Sequence, residues 1–268
     1  MRKVFSVIRI AVLGGCGKLG SEVVRSVAAA DDMELVGVCD VAHPGTPVGE
    51  VVGVRGLDVP ISADFEPMLV ESKPDVVVDV AKPFVMANTR AALKSGVAVI
   101  IGTTGLRAEE IEEIGRLAEE NGVAGMVIPN FAIGAVLMMK FAAEAAKYMP
   151  DAEITELHRD KKIDAPSGTA IKTAEMIDAS RRAVGVEAVV PLCPDGPARG
   201  ERHCGVPVHS VRLPGFVAHQ EVLFGGTGQT LTIRHDSMDW TSFMPGVLLA
   251  IRRATEVKGL IYGLDKLL

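Results

Sequence analysis

Aromatic side chains are scarce in this chain: one Trp, two Tyr and eight Phe, 4% of 268 residues. Recognition of single-stranded nucleic acid leans on stacking platforms, and so few rings do not build one. The net charge is −6, with 28 Lys and Arg against 34 Asp and Glu. The basic field that a nucleic-acid or anionic-membrane partner wants is therefore also missing. The four cysteines, Cys16, Cys39, Cys193 and Cys204, form no Cys-x-x-Cys pair, which weakens any zinc or thioredoxin-like reading. No apolar run is long enough to cross a bilayer. His-Glu-x-x-His and Gly-x-Ser-x-Gly are absent, which argues against a catalytic metal and a hydrolase elbow. The segment from Met1 to Val7 carries no signal-peptide pattern and leads straight into a strand-like run. A reducing, cytoplasmic location with free thiols is the expectation.

What is present is a core-forming chain. Apolar residues make up 48% of it, and its length suits one large domain or two modest ones. Short apolar runs rich in β-branched residues recur at Ile8–Leu13, Glu34–Cys39, Asp75–Asp79, Ala98–Ile101 and Gly125–Ile128. Helical patterns separate most of them, as at Ser21–Val27, Asn88–Ser95 and Ala108–Asn121. Between Val41 and Pro60 the glycines and prolines predict a loop-rich excursion, and Ser62–Leu69 a short helix. This alternation predicts an α/β fold with a doubly wound, Rossmann-type parallel sheet. After residue 131 the pattern changes. A Met- and Ala-rich helix over Ala135–Tyr148 leads to a strand over Ala152–Leu157 and a helix over Ala170–Arg182. Strands over Val206–Val211, Phe216–Phe224 and Gln229–His235 follow, with Gly225-Gly226 as a hairpin turn. The reading is a dinucleotide-binding domain over 1–131 and an α+β domain with an open mixed sheet over 132–240. A C-terminal helix within 241–268 packs back on the first. The methionines at 138 and 139 suit core packing, and open sheet edges suit self-association.

Two stretches carry chemistry. The first is Gly14-Gly-Cys-Gly-Lys-Leu-Gly20, between a strand and a helix, with Asp40 closing the next strand. Glycine is wanted there for the tight turn, for close approach of a pyrophosphate and for helix–strand packing. The acid about twenty residues on would bond the ribose hydroxyls. With no arginine after it, Asp40 favours NADH over a 2′-phosphate, while Lys18 and His43 could offset the repulsion and leave NADPH open. Ligands of such sheets sit beyond the carboxyl ends of the strands. Gly14 to Gly20, Asp40, Gly102-Thr103-Thr104 and Pro129-Asn130-Phe131 are therefore expected to rim one crevice.

The second is Glu156-Leu-His-Arg-Asp-Lys-Lys-Ile-Asp-Ala-Pro-Ser-Gly-Thr-Ala170. A charge cluster of His158, Arg159, Lys161, Lys162 and Asp164 leads into a turn and a helix start. Pro166 suits the first helical turn, and Ser167, Gly168 and Thr169 offer hydroxyls and backbone N–H groups at a positive helix end. The stretch reads as a carboxylate-binding, proton-delivering site, or else as an ordinary basic loop. His203 falls in a polar loop, and His209, His219 and His235 fall in strands where a structural role is commoner.

With these residues in view, the chain resembles the bacterial dihydrodipicolinate reductase (4-hydroxy-tetrahydrodipicolinate reductase) family of diaminopimelate and lysine biosynthesis. The resemblance covers nearly the whole length. It rests on the glycine turn at 14–20, Gly-Thr-Thr-Gly at 102–105, Pro-Asn-Phe at 129–131 and Lys-Ile-Asp-Ala-Pro-Ser-Gly-Thr-Ala at 162–170. It rests also on His-Ser-Val-Arg-Leu-Pro-Gly at 209–215 and His-Gln-Glu-Val-Leu-Phe-Gly at 219–225. The Asp-Ala-Pro-Ser-Gly-Thr-Ala string is the most specific of these.

The resemblance implies an NAD(P)H-dependent oxidoreductase acting on a small cyclic dicarboxylate, usually a homotetramer joined through sheets of the second domains. It implies that His158 and Lys162 donate the proton and that Arg159, Gly168 and Thr169 bind substrate; the helix-start reading adds Ser167. Cofactor positions are Gly14, Gly15, Cys16, Gly17, Lys18, Leu19, Asp40, Gly102, Thr103, Thr104, Ile128, Pro129, Asn130 and Phe131. No metal, nucleic acid or membrane is implied.

Three departures from the family pattern stand out. Arg159 stands where a second histidine is usual; it can grip a carboxylate bidentately but cannot serve as a neutral acid–base group. Val80-Ala-Lys-Pro83 replaces Phe-Thr-x-Pro. Trp240 replaces a common arginine, so an ion pair made by that arginine has no cation here. Two other readings compete. Another two-domain NAD-dependent dehydrogenase would not need the basic helix start. A non-catalytic dinucleotide sensor would have no use for His158 and Lys162 together.

Overall fold

The computed structural model describes residues 7–187 and 196–268. The expectations that touch residues before Val7, and that for Cys193, lie outside them. The chain forms two compact units: residues up to Phe131 together with Phe243–Leu268, and Ala132–Ser242.

The first unit runs β1 (Ile8–Leu13), α1 (Lys18–Ala28), β2 (Met33–Cys39), α2 (Val48–Val52), β3 (Ile61–Ser62), α3 (Phe65–Ser72) and β4 (Val76–Asp79). It continues with α4 (Val85–Lys94), β5 (Ala98–Ile101), α5 (Ala108–Asn121) and β6 (Ala124–Val127). The second unit holds α6 (Ile133–Ala145), β7 (Asp151–His158), α7 (Gly168–Ala183), β8 (Glu201–His203), β9 (Val206–Arg212), β10 (Ala218–Gly226) and β11 (Gln229–Ser237). The chain then returns with α8 (Met244–Ala254) and β12 (Gly259–Tyr262).

The first unit is a seven-stranded sheet in the order β12-β6-β5-β4-β1-β2-β3, with every paired neighbour parallel. Its central strands are mostly apolar because both faces are covered: Ile10, Ala11 and Val12 of β1 and Val76 and Val78 of β4 have no exposed surface. Val23, Val24 and Val27 line the buried face of α1 at helical spacing. From β1 the chain winds one way to β2 and β3, then the other way from β4 onward. The strand order thus reverses between β1 and β4, which is where ligands of such sheets bind.

Three local readings change. Val48–Val52 is a helix inside the excursion read as loop. A short strand, Ile61–Ser62, precedes α3. The helix expected within 241–268 forms as α8, and a strand not read in the sequence follows it: β12 pairs with β6 from Gly259↔Ala124 to Tyr262↔Val127. Gly246 lets α8 meet the rest of this unit, since a Cβ there would lie 2.0 Å from the carbonyl oxygen of Phe131. Arg252 adds an exposed two-pronged pair with Asp32 at 2.7 and 3.0 Å, a contact of under about 1 kcal/mol.

The second unit is a five-stranded mixed sheet, β11-β10-β7-β9-β8, in which β7 and β9 run parallel and the other pairs antiparallel. Its core joins α6 and α7 to the sheet through Met138, Ala142, Ala174, Ile177, Ile154, Val222 and Phe224. Met138 packs in this core. Leu223 and Leu231 are exposed, and β11 and β8 are edge strands. The hairpin lies two residues later than read. Gly225 and Gly226 still pair, with Thr230 and Gln229, and the turn is Thr227-Gly228 with Gly228 at φ +72°. His203 belongs to a short strand rather than a loop.

Candidate functional site

In the first unit the nucleotide-type features gather at the carboxyl ends of the strands. Gly14 adopts φ +78°, and its N–H donates to the Cys39 carbonyl at 2.8 Å. That bond ties the glycine turn to the end of β2. A Cβ on Gly20 would sit 1.9 Å from the Gly14 carbonyl oxygen, and one on Gly15 2.6 Å from Val38 Cγ1. Turn, strand and helix therefore close on each other only if both stay glycine. Helix α1 begins without a side-chain cap at Gly17 and with no acid in its first turn. Such a helix start can accept a phosphate.

Asp40 holds this end together. Its Oδ2 accepts the Cys16 N–H at 2.9 Å and its Oδ1 the Ala42 N–H at 2.9 Å. Each oxygen retains a lone pair for a ribose hydroxyl. Burial, with the Asp40 charge and hydrogen bond added, pushes the Cys16 thiol up to about 11, so it stays neutral near pH 7. Lys18 and His43 are exposed.

The remaining expected positions divide by burial. A Cβ on Gly102 would meet the Phe131 ring at 2.7 Å and Val80 Cγ1 at 3.0 Å, so these three residues pack as one group. Ile128 and Phe131 have their side chains inside, which leaves only their main chain to meet a ligand; Thr104 and Pro129 are exposed. Asp79, at the carboxyl end of β4, is fully buried. It accepts the Ala81 N–H at 2.9 Å and the Asn88 amide at 3.5 Å, yet burial wins and pushes its carboxyl up to about 6. Sequence reasoning treated Asp79 only as the end of a strand. An acid directly after Val-Val-Val was the available signal.

In the second unit the charged stretch starts at the end of β7. Glu156 and His158, two apart on a strand, face the same way. Glu156 has no exposed surface. One of its carboxylate oxygens bonds His158 Nδ1 and the other accepts Arg212 Nη2 at 2.7 Å. Burial pushes this carboxyl up, and bonds from His158, Arg212 and Ser210 outweigh it, holding it at about 2. An ionised carboxylate only accepts hydrogen bonds, so Nδ1 carries the proton of that contact and Nε2 is left for proton exchange with a ligand.

Beyond His158 the chain turns. Lys162 N–H donates to the Arg159 carbonyl at 3.1 Å, and Lys162 Nζ reaches both Asp164 oxygens at 2.8 and 2.7 Å. Arg212 Nη2 also donates to the Asp164 carbonyl at 2.7 Å.

Helix α7 then begins at Gly168, with Ser167 as its cap: the Ser167 hydroxyl oxygen accepts the Ala170 N–H at 3.2 Å. Pro166 therefore precedes the cap instead of occupying the first turn. Ser167 is buried and serves its own helix, so Gly168 and Thr169 are the ligand-facing candidates at this end. Behind them Thr173 donates to the Thr169 carbonyl at 2.7 Å and accepts Gln220 Nε2 at 2.7 Å, a buried prop that the sequence did not reveal. Arg159 lies over the Trp240 ring, 5.4 Å from its centroid, as a cation–π pair.

Two other histidines of this sheet are held by carboxylates. His209 Nε2 bonds Glu153 at 2.8 Å, and His219 Nδ1 bonds Asp236 at 2.7 Å. The His235 ring fills the space beside Gly134, where a Cβ would come within 2.5 Å. Among the described residues no three His, Cys, Asp or Glu side chains gather as a metal site, and no helix is long and apolar enough to cross a membrane.

Comparison with known proteins adds the following. Family profiles described as "Dihydrodipicolinate reductase, N-terminus" and "Dihydrodipicolinate reductase, C-terminus" match residues 8–131 and 134–268. A 4-hydroxy-tetrahydrodipicolinate reductase of Listeria welshimeri serovar 6b is 51% identical over 264 residues, 97% of this chain and 100% of the relative. That of Syntrophomonas wolfei subsp. wolfei is 50% identical over 261 residues, 97% of this chain and 98% of the relative. A solved structure, the dipicolinate-bound dihydrodipicolinate reductase from Paenisporosarcina sp. TG-14, is 45% identical with TM-score 0.84, covering 98% of this chain and 100% of that one.

Proposed function

We propose, for a chain that belongs to the dihydrodipicolinate reductase family, that His158 and Lys162 are the pair delivering the proton when 4-hydroxy-tetrahydrodipicolinate is reduced to tetrahydrodipicolinate. The chain is an oxidoreductase of diaminopimelate and lysine biosynthesis. When bound, the reduced nicotinamide supplies the hydride. Addition of hydride to a conjugated imine leaves an electron-rich carbon or nitrogen, and the same step needs a proton there. His158 presents Nε2 for that proton, and the Lys162 ammonium stabilises charge or holds a carboxylate. Arg159 and the start of α7 at Gly168 and Thr169 grip the substrate carboxylates.

The observation that carries this reading is the shared anchorage of the pair. His158 and the turn bearing Lys162 are bonded, through Glu156 and the Asp164 carbonyl, to one guanidinium, Arg212. The uncapped helix start after Gly17 and the remaining lone pairs of Asp40 suit a dinucleotide. The acid favours NADH over NADPH. Self-association into a homotetramer would use the exposed sheet face bearing Leu223 and its cross-strand partner Thr232, and the location is cytoplasmic.

A coupled assay tests the reading. The preceding synthase condenses aspartate semialdehyde with pyruvate, and oxidation of NADH and of NADPH is followed for the parent and for His158→Gln and Lys162→Ala. Turnover by the parent, faster with NADH, and large losses in both variants are expected. Parental rates in either variant would remove that residue from the pair, and NADH that binds without being oxidised would leave a dinucleotide sensor.

A further inference from the structure

We propose that Glu156 and Arg212 are positioning residues for proton delivery: Glu156 holds His158 with Nε2 presented, and Arg212 locks that carboxylate to the turn carrying Lys162. This rests on the reading of His158 and Lys162 as the proton-delivering pair.

A charge with no exposed surface is costly unless it is fully partnered, so a buried glutamate on a strand needs a reason. A purely structural ion pair would need only Glu156 and Arg212. Here the carboxylate divides its oxygens. One meets Arg212 at 2.7 Å and the other meets His158 Nδ1. Parallel pairing of β7 with β9 sets Ser210 opposite Glu156 and Arg212 opposite His158, so two of the three donors to the carboxylate arrive from the neighbouring strand. Arg212 Nη2 makes a second bond, to the Asp164 carbonyl, while Asp164 holds Lys162 by its side chain. Arg212 is thus bonded both to the partner of His158 and to the turn of Lys162.

His158 Nδ1 bonds Glu156 on its own strand and lies opposite Arg212 on β9 and the uncharged Ala218 on β10, while the turn that follows carries Arg159, Asp160, Lys161, Lys162 and Asp164. Glu156 is thus the carboxylate bonded to the ring; as an acceptor only it fixes the proton on Nδ1, whereas an amide in its place could donate or accept and would leave the presented nitrogen unfixed.

Glu156→Gln is compared with the parent and with His158→Gln, reading kcat and KM across pH, together with thermal unfolding and NADH binding. The expected result is a kcat loss of about tenfold to a hundredfold, the range for removing an orienting partner of a functional histidine. KM is expected to stay within about threefold, since the groups proposed to grip the substrate are untouched. The double variant Glu156→Gln with Arg212→Gln removes the buried carboxylate together with its half-buried guanidinium partner and serves if the single variant does not fold; the same loss of kcat is expected. A folded variant with kcat within twofold of the parent would overturn the proposal and leave Glu156 a structural residue. A fully active His158→Gln would overturn the underlying reading and this proposal with it, a result distinct from the first.

Discussion

The two units build their ends by different means. In the first, the parts proposed to meet a ligand are main chain. Gly14 at φ +78°, Gly20 within 1.9 Å of a carbonyl if given a Cβ, and the uncapped start of α1 are all backbone features. In the second, they are charged side chains held by other charges, with Glu156 fully buried between His158 and Arg212. Main-chain sites demand one residue type at each position and tolerate no added atom. Charge networks tolerate some change of side chain but depend on partners far away in sequence. The first kind should fail by loss of binding, the second by loss of turnover.

The largest expected effects lie in the second unit. His158→Gln and Lys162→Ala should each lower kcat by roughly a hundredfold to ten-thousandfold, the usual contribution of a positioned acid–base group. Steady-state rates in the coupled assay check this. Next comes Gly20→Ala. Its Cβ would overlap the Gly14 carbonyl oxygen, so the turn must shift, at about 1–3 kcal/mol of stability. Chemical denaturation reads the stability loss, and a titration should show weaker NADH binding.

Asp79→Asn sharpens the contrast from the other side, since here the first unit buries a charge. The Asp79 carboxyl is raised from 3.8 to about 6 by burial. A raised carboxyl contributes its full stability below the unfolded value and loses it as pH climbs through the folded one. The parent should therefore weaken between about pH 4 and pH 6 where the variant does not. The variant should gain roughly 3 kcal/mol relative to the parent by pH 7, measured as denaturation midpoints at several pH values. The smallest effect is expected for Trp240→Leu. Losing the face under Arg159 should cost about 0.5–1 kcal/mol of preorganisation. The substrate KM should rise about twofold to fivefold, with kcat unchanged in a full Michaelis analysis.

The same contrast explains what the sequence disclosed. The parallel sheet was legible because its strands are buried on both faces and read as continuous apolar runs. The glycine turn was legible because no other residue fits Gly14 and Gly20. β12 was not, since Gly-Leu-Ile-Tyr is too short to show a period and is fixed only by pairing with β6. The hairpin was misplaced because Gly225-Gly226 is a stronger turn signal than Thr227-Gly228, yet cross-strand pairing keeps both glycines in the strand. In the second unit the cluster from His158 to Thr169 could be picked out, but not its support. Glu156 and Arg212 are distant in sequence, and only the parallel β7–β9 register brings them together. Arg159 and Trp240 each stood out as a departure from the family pattern. The structure stacks one on the other, a pairing that no local pattern discloses.

The division of labour between the units is tested most directly on His158→Gln, by measuring its NADH dissociation constant alongside its single-turnover rate with saturating substrate. The account predicts an affinity within twofold of the parent and a rate at least about a hundredfold lower. A variant that turns over at the parental rate, or that loses NADH binding in step with its rate, would contradict it.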